Sequence, residues 1–86
     1  MRKEFVVAND QGIHARPATL LVAKANEFKA NMILTYENNS VDLKSIMGVL
    51  SLGINRGSLI LIEAKGEDEV EAIKAIDRLI TELNLK

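Results

Sequence analysis

The sequence predicts an α+β fold in which an antiparallel sheet carries helices on one face. Three observations lead there. Short stretches alternate apolar with polar side chains, the period of a strand. Longer stretches repeat apolar residues every three or four positions, the period of a helix. The resulting order, β-α-β-β-α-β-α, with polar residues on one side of the strands, suits a sheet that is covered on only one side.

Phe5 and Val7 alternate with Glu4 and Val6 in a first strand. Asn9-Asp10-Gln11-Gly12 is turn chemistry, and Ile13-His14-Ala15-Arg16 follows as a short loop. Pro17 suits the first helical turn, where a missing N–H costs nothing. Ala18, Leu21, Val22, Ala25 and Phe28 then share one helix face. Met32, Leu34 and Tyr36 form a second strand, with a tight turn at Asn38-Asn39, and Val41 and Leu43 form a third. Ser45 is an N-cap for a short helix over Ile46–Leu52, closed by Gly53. Asn55-Arg56-Gly57 turns the chain. The unbroken apolar run Leu59–Ile62 reads as a strand buried in mid-sheet, ended by Gly66. Glu67, Asp68, Glu69 and Glu71 sit where a helix dipole favours negative charge. Ala72, Ile73, Ile76, Leu79, Ile80 and Leu83 make the buried stripe of a last helix, with Lys74 and Arg78 farther along it.

Eighty-six residues fit one domain, 1–86. Eleven basic against twelve acidic side chains leave a net charge of −1, too balanced for a nucleic-acid surface. With no cysteine and one histidine, thiolate and multi-histidine metal sites are excluded, and no calcium-loop pattern occurs. No resident metal or other cofactor is expected. No apolar run reaches the ~18 residues of a membrane span, so the chain reads as soluble and cytoplasmic, without direct membrane contact, and as a monomer.

Imidazole is the one side chain that ordinarily titrates near neutrality, and His14 is the only one here. It stands just before a helix start, whose free N–H groups, together with Arg16, suit a phosphate. Imidazole nitrogen attacks phosphorus readily and also leaves readily. The glycine-rich loop of a nucleotide kinase is missing, so a phosphoryl donor has to arrive on a partner. Apolar residues crowd the short helix. Val49 and Leu52 are assigned to the core. For Ile46, Met47 and Leu50, and for Leu20 off the core stripe of the first helix, two readings stand: completion of the core, or an exposed surface for partners.

At Gly12-Ile13-His14-Ala15-Arg16-Pro17-Ala18 and again at Lys44-Ser45-Ile46-Met47-Gly48-Val49-Leu50-Ser51-Leu52-Gly53, the sequence resembles HPr, the histidine-containing phosphocarrier family of the bacterial sugar phosphotransferase system. The resemblance implies an open-faced two-layer sandwich with strand order 1-4-2-3. It implies that His14 accepts phosphoryl on Nδ1 from phospho-Enzyme I, with Arg16 on the phosphate and Pro17 fixing the helix start. His14 then passes the group to EIIA domains of sugar permeases. The chain itself is a carrier, not an enzyme. Ala15, Thr19, Leu20, Ile46, Met47 and Leu50 fall on the partner surface. Ser45 matches the serine modified by HPr kinase/phosphorylase in Gram-positive bacteria, whose product is a co-repressor for a catabolite-control repressor. Val6 and Ile33 depart from the pattern by placing apolar side chains on the open sheet face.

Two other functions compete with this one. A purely regulatory binding module, or a nitrogen-regulatory relative, would use the short helix with His14 incidental. A small RNA-binding domain would need stacking aromatics and a basic surface. Aromatics are 3% of the chain, which discards it.

Overall fold

Strand alternation decides which side chains meet. The structure is a computed structural model, and it describes residues 1–85. Its elements are β1 (Arg2–Val6), α1 (Ala15–Ala25), β2 (Asn31–Tyr36), β3 (Asn39–Asp42), α2 (Ile46–Ser51), β4 (Leu59–Lys65) and α3 (Glu69–Asn84). The sheet has order β1-β4-β2-β3, and every neighbouring pair is antiparallel. Phe5, Met32, Leu34, Ile60, Ile62 and Ala64 all point to one face. There they bury against Ala18, Leu21 and Ala25 of α1, Val49 of α2, and Ala72, Ile73, Ile76 and Ile80 of α3. Full burial of each large aliphatic side chain contributes roughly 1.5–3 kcal/mol, which outweighs the weak intrinsic helix preference of the six-residue α2.

The opposite face is open. Val6 and Leu59 are more than half exposed, and Ile33 is 38% exposed. The run Leu59–Ile62 is therefore central but not buried on both sides. With helices on one face only, Ile60 and Ile62 go inward and Leu59 outward.

Several boundaries shift from the sequence expectation. Tyr36 pairs with Asn39, so the two-residue turn is Glu37-Asn38, one residue earlier than Asn38-Asn39. Glu37 takes φ of 56°, a conformation that costs a non-glycine residue roughly 1–2 kcal/mol. Val7 lies past β1, yet is fully buried and bonded to the loop ahead of β4 through Ser58 O and Gly57 N. Leu43 lies past β3 but donates to Met32 O at 2.9 Å. Helix α1 ends at Ala25, so Phe28 joins the core from the following loop. Val22 and Leu79 are half-buried. Helix α2 stops at Ser51, with Leu52 as its cap.

The acidic start of α3 does more than complement a dipole. Glu69 and Glu71 lie in its first turn, but Asp68 accepts from the amides of Lys29 and Ala30, both at 2.8 Å. It ties α3 to the loop between α1 and β2. The Lys29 N–H, with help from the Ala30 N–H and against partial desolvation, holds the Asp68 carboxyl below the ordinary aspartate value. A lowered folded-state value stabilises the fold at pH above the unfolded-state value, and that contribution is lost as pH falls through the folded-state one. Asp68→Ala is therefore expected to lower the melting temperature at neutral pH. The gap to wild type should narrow steadily on acidification through and below the carboxylate range. Thermal melts at a series of pH values check this; a gap independent of pH would contradict the bond.

Candidate phosphoryl-acceptor site

Two loops frame His14. The first runs from β1 to α1 and turns at Gly12, whose φ is 64°. A Cβ there would stand 2.4 Å from Ile54 O and 3.0 Å from Asn55 Cα, so only glycine lets the second loop, between α2 and β4, approach this closely. The approach is then fixed by the Ile13 N–H, which donates to Ile54 O at 2.9 Å, with both side chains fully buried. The residues after Ile13 and Ile54 are His14 and Asn55. Their side chains meet: His14 Nε2 lies 3.0 Å from Asn55 Oδ1. As the amide is oriented, Nε2–H donates and Asn55 Oδ1 accepts. Among the described residues, Nδ1 has no hydrogen bond.

His14 is the N-cap of α1, half-exposed, with extended backbone (φ −126°, ψ 165°). The helix starts at Ala15, two residues earlier than expected from Pro17. Ala15 itself has φ of 44°, outside the right-handed helix, so the loop reading of this residue survives in its dihedral. Pro17, third in the helix and buried, brings no N–H. The first intrahelical donor is Ala18, to His14 O at 3.4 Å. The N–H groups of Ala15 and Arg16 have no internal acceptor among the described residues. They and the Arg16 guanidinium, exposed and without an ion pair among those residues, form the electropositive end of α1. An anion attached to His14 would find donors there. Arg56 is occupied by Asp10 at 2.8 Å, an exposed pair that contributes little to stability.

The sequence reading missed Asn55, which it gave only a turn role. No motif marks it, since its partner lies 41 residues away in the chain. The register set by Gly12 and Ile13 makes it a neighbour. Among the described residues, no group of three or more His, Cys, Asp or Glu side chains is placed to hold a metal, and no helix is long and apolar enough to cross a membrane.

The second motif forms α2. Ser45 Oγ accepts from the Gly48 N–H at 3.1 Å, as an N-cap does. Met47 is 79% exposed and Leu50 41%, while Ile46 and Leu20 are half-buried. Val49 is fully buried and Leu52 partly so. Thr19 and Ala15 are exposed on α1, the Thr19 hydroxyl donating to Ala15 O at 3.1 Å. Asn26 Nδ2 donates to Lys44 O, which sets the start of α2 against the end of α1. The Ile13–Ile54 bond sets the chain just past α2 against the start of α1. The chain thus enters α2 beside the end of α1 and, three residues past α2, lies beside the loop that leads into α1.

Comparison with known proteins agrees with this arrangement. A family model described as the PTS HPr component phosphorylation site matches residues 1–82. Among solved structures, HPr-C-His from Thermoanaerobacter tengcongensis is 38% identical over 100% of this chain and 97% of its own, with a TM-score of 0.96. A histidine-containing phosphocarrier protein of Mycoplasma is 33% identical over 99% and 97%, with a TM-score of 0.94. A phosphocarrier protein HPr of Bacillus anthracis str. Ames is 39% identical over 92% and 94%, with a TM-score of 0.88. A match of this extent in sequence and in strand order shows that the chain belongs to the HPr family of the phosphotransferase system.

Proposed function

We propose that this chain is a phosphocarrier of sugar uptake, accepting phosphoryl on His14 from phospho-Enzyme I and handing it to EIIA domains. The observation that carries the reading is the His14 ring itself: half-exposed, with Nε2 occupied by Asn55 and Nδ1 unpartnered, at a helix start with two spare N–H groups. A donor borne on another protein reaches such a ring more readily than it would a buried one. The Ala15 and Arg16 amides and the Arg16 side chain stabilise the added charge. Because the helix end holds phosphate by hydrogen bonds and not by a covalent trap, the group stays transferable. Arg16 is the phosphate contact, and Pro17, buried in the first turn, contributes no N–H there. Ala15, Thr19, Leu20, Ile46, Met47 and Leu50 form the docking surface.

Ser45 is the regulatory position for HPr kinase/phosphorylase. Its half-exposed hydroxyl caps α2 beside the exposed Met47. Phosphate there adds about −1.5 to −2 charges next to an apolar surface that Enzyme I would have to cover, while the start of α2 tolerates negative charge. The same form is the one offered to a catabolite-control repressor.

Incubation with Enzyme I and phosphoenolpyruvate tests the reading. Wild type is expected to take up one acid-labile phosphoryl group, and His14→Ala none while melting normally. Acid-labile phosphate on His14→Ala would overturn it. The docking surface has its own test. Met47→Asp should weaken binding to Enzyme I by about tenfold or more, as truncating a central interface contact does. An exposed site predicts a stability change within about 0.5 kcal/mol. Unchanged affinity, or a collapsed melting temperature, would contradict the surface.

A further inference from the structure

We infer that Asn55 is a positioning residue for phosphoryl transfer: it holds the proton of His14 on Nε2 and so reserves Nδ1 as the nucleophile. The inference rests on the carrier reading and deepens it. The 3.0 Å contact between Nε2 and Asn55 Oδ1 is built by the fold. Gly12 allows the two loops to close up, and the Ile13–Ile54 bond sets their register. The opposite amide orientation, with the Asn55 amide donating to a bare Nε2, would put the ring proton on Nδ1. That is the ring nitrogen next to the side-chain stem, and among the described residues no group accepts a hydrogen bond from it. A proton on Nδ1 would have no acceptor among the described residues. With Oδ1 as acceptor the ring N–H is bonded and the Nδ1 lone pair is left open.

The chemistry derives from this placement. The Nδ1 lone pair forms the P–N bond as the donor's bond to phosphorus breaks, its electron pair leaving with the donor. Nε2 keeps its proton throughout, so the phosphorylated ring is cationic, and Asn55 Oδ1 takes a charge-assisted hydrogen bond from it. On onward transfer the P–Nδ1 bond breaks, its pair returns to Nδ1, and the ring departs as neutral imidazole, a far better leaving group than the imidazolate that a deprotonated Nε2 would produce. One side chain thus favours both acceptance and release.

The test reads the imidazole directly and needs no partner protein. Nitrogen-15 NMR of neutral His14 is expected to show the Nε2–H tautomer almost alone in wild type and in Asn55→Asp, which keeps the acceptor. Asn55→Ala, or the near-isosteric Asn55→Leu should the alanine variant not fold, should relax toward the tautomer mixture of a free imidazole. Treatment with phosphoramidate, a small-molecule phosphoryl donor, should modify Nδ1 in wild type and Asn55→Asp, and both nitrogens in Asn55→Ala or Asn55→Leu. With Enzyme I as donor, loss of the bond should slow transfer about three- to tenfold, the worth of one hydrogen bond. A wild-type ring protonated on Nδ1, or an alanine or leucine variant with the wild-type tautomer and the same site of modification, would overturn the assignment. Wild type with the Nε2–H pattern and selective Nδ1 modification, yet no phosphoryl uptake from Enzyme I, would support Asn55 and overturn the carrier reading.

Discussion

The hydrogen bond from the Ile13 amide to the Ile54 carbonyl holds together two loops that are far apart in the chain. Everything at the site depends on it. Gly12 removes the side chain that would keep the loops apart, and the buried Ile13 and Ile54 side chains anchor each loop in the core. The residue after each anchor is thereby placed: His14 on one side, Asn55 on the other. The site is on the surface, but it inherits its precision from the core one residue earlier. A loop pinned this way presents a half-exposed imidazole without leaving it free to wander.

The rest of the fold leaves apolar side chains of α2 exposed. Helices α1 and α2 pack on the same side of the sheet, with Asn26 tied to Lys44 and Ile13 to Ile54. Val49 commits the inner side of α2 to the core. A helix of six residues has few positions left, so Met47 and Leu50 stand outward. Their exposure is a consequence of helix length and apolar content together. The start of α3 is held by Asp68, which accepts from the Lys29 and Ala30 amides.

Much of this was legible in the sequence, for reasons that are local. Strand alternation at Met32 and Leu34, the helix stripe ending in Ile80 and Leu83, and the Ser45 cap all stem from period or from one residue's hydrogen-bonding habit, whereas the sequence left Met47 open between core and surface and the structure turns it outward. The site histidine was legible from its neighbours Gly12, Arg16 and Pro17. The features that escaped depend on pairing between distant segments. The turn moved to Glu37-Asn38 because Tyr36 pairs with Asn39, which turn chemistry alone does not reveal. Leu59 faces outward because helices cover one sheet face, and four apolar residues in a row carry no sign of which face that is. Asp68 resembled an ordinary acidic helix start until Lys29 and Ala30 came beside it. Asn55 was invisible for the same reason, since nothing near it in the chain points to His14.

Native-state hydrogen exchange of the Ile13 amide tests the clamp most directly. If the loops are joined as part of the core, this amide opens only with the sheet, and its protection should lie within about tenfold of the amides of β4. Exchange as fast as that of the exposed Asp10 amide would mean that the loops separate freely, and that His14 is not held against Asn55 by the fold.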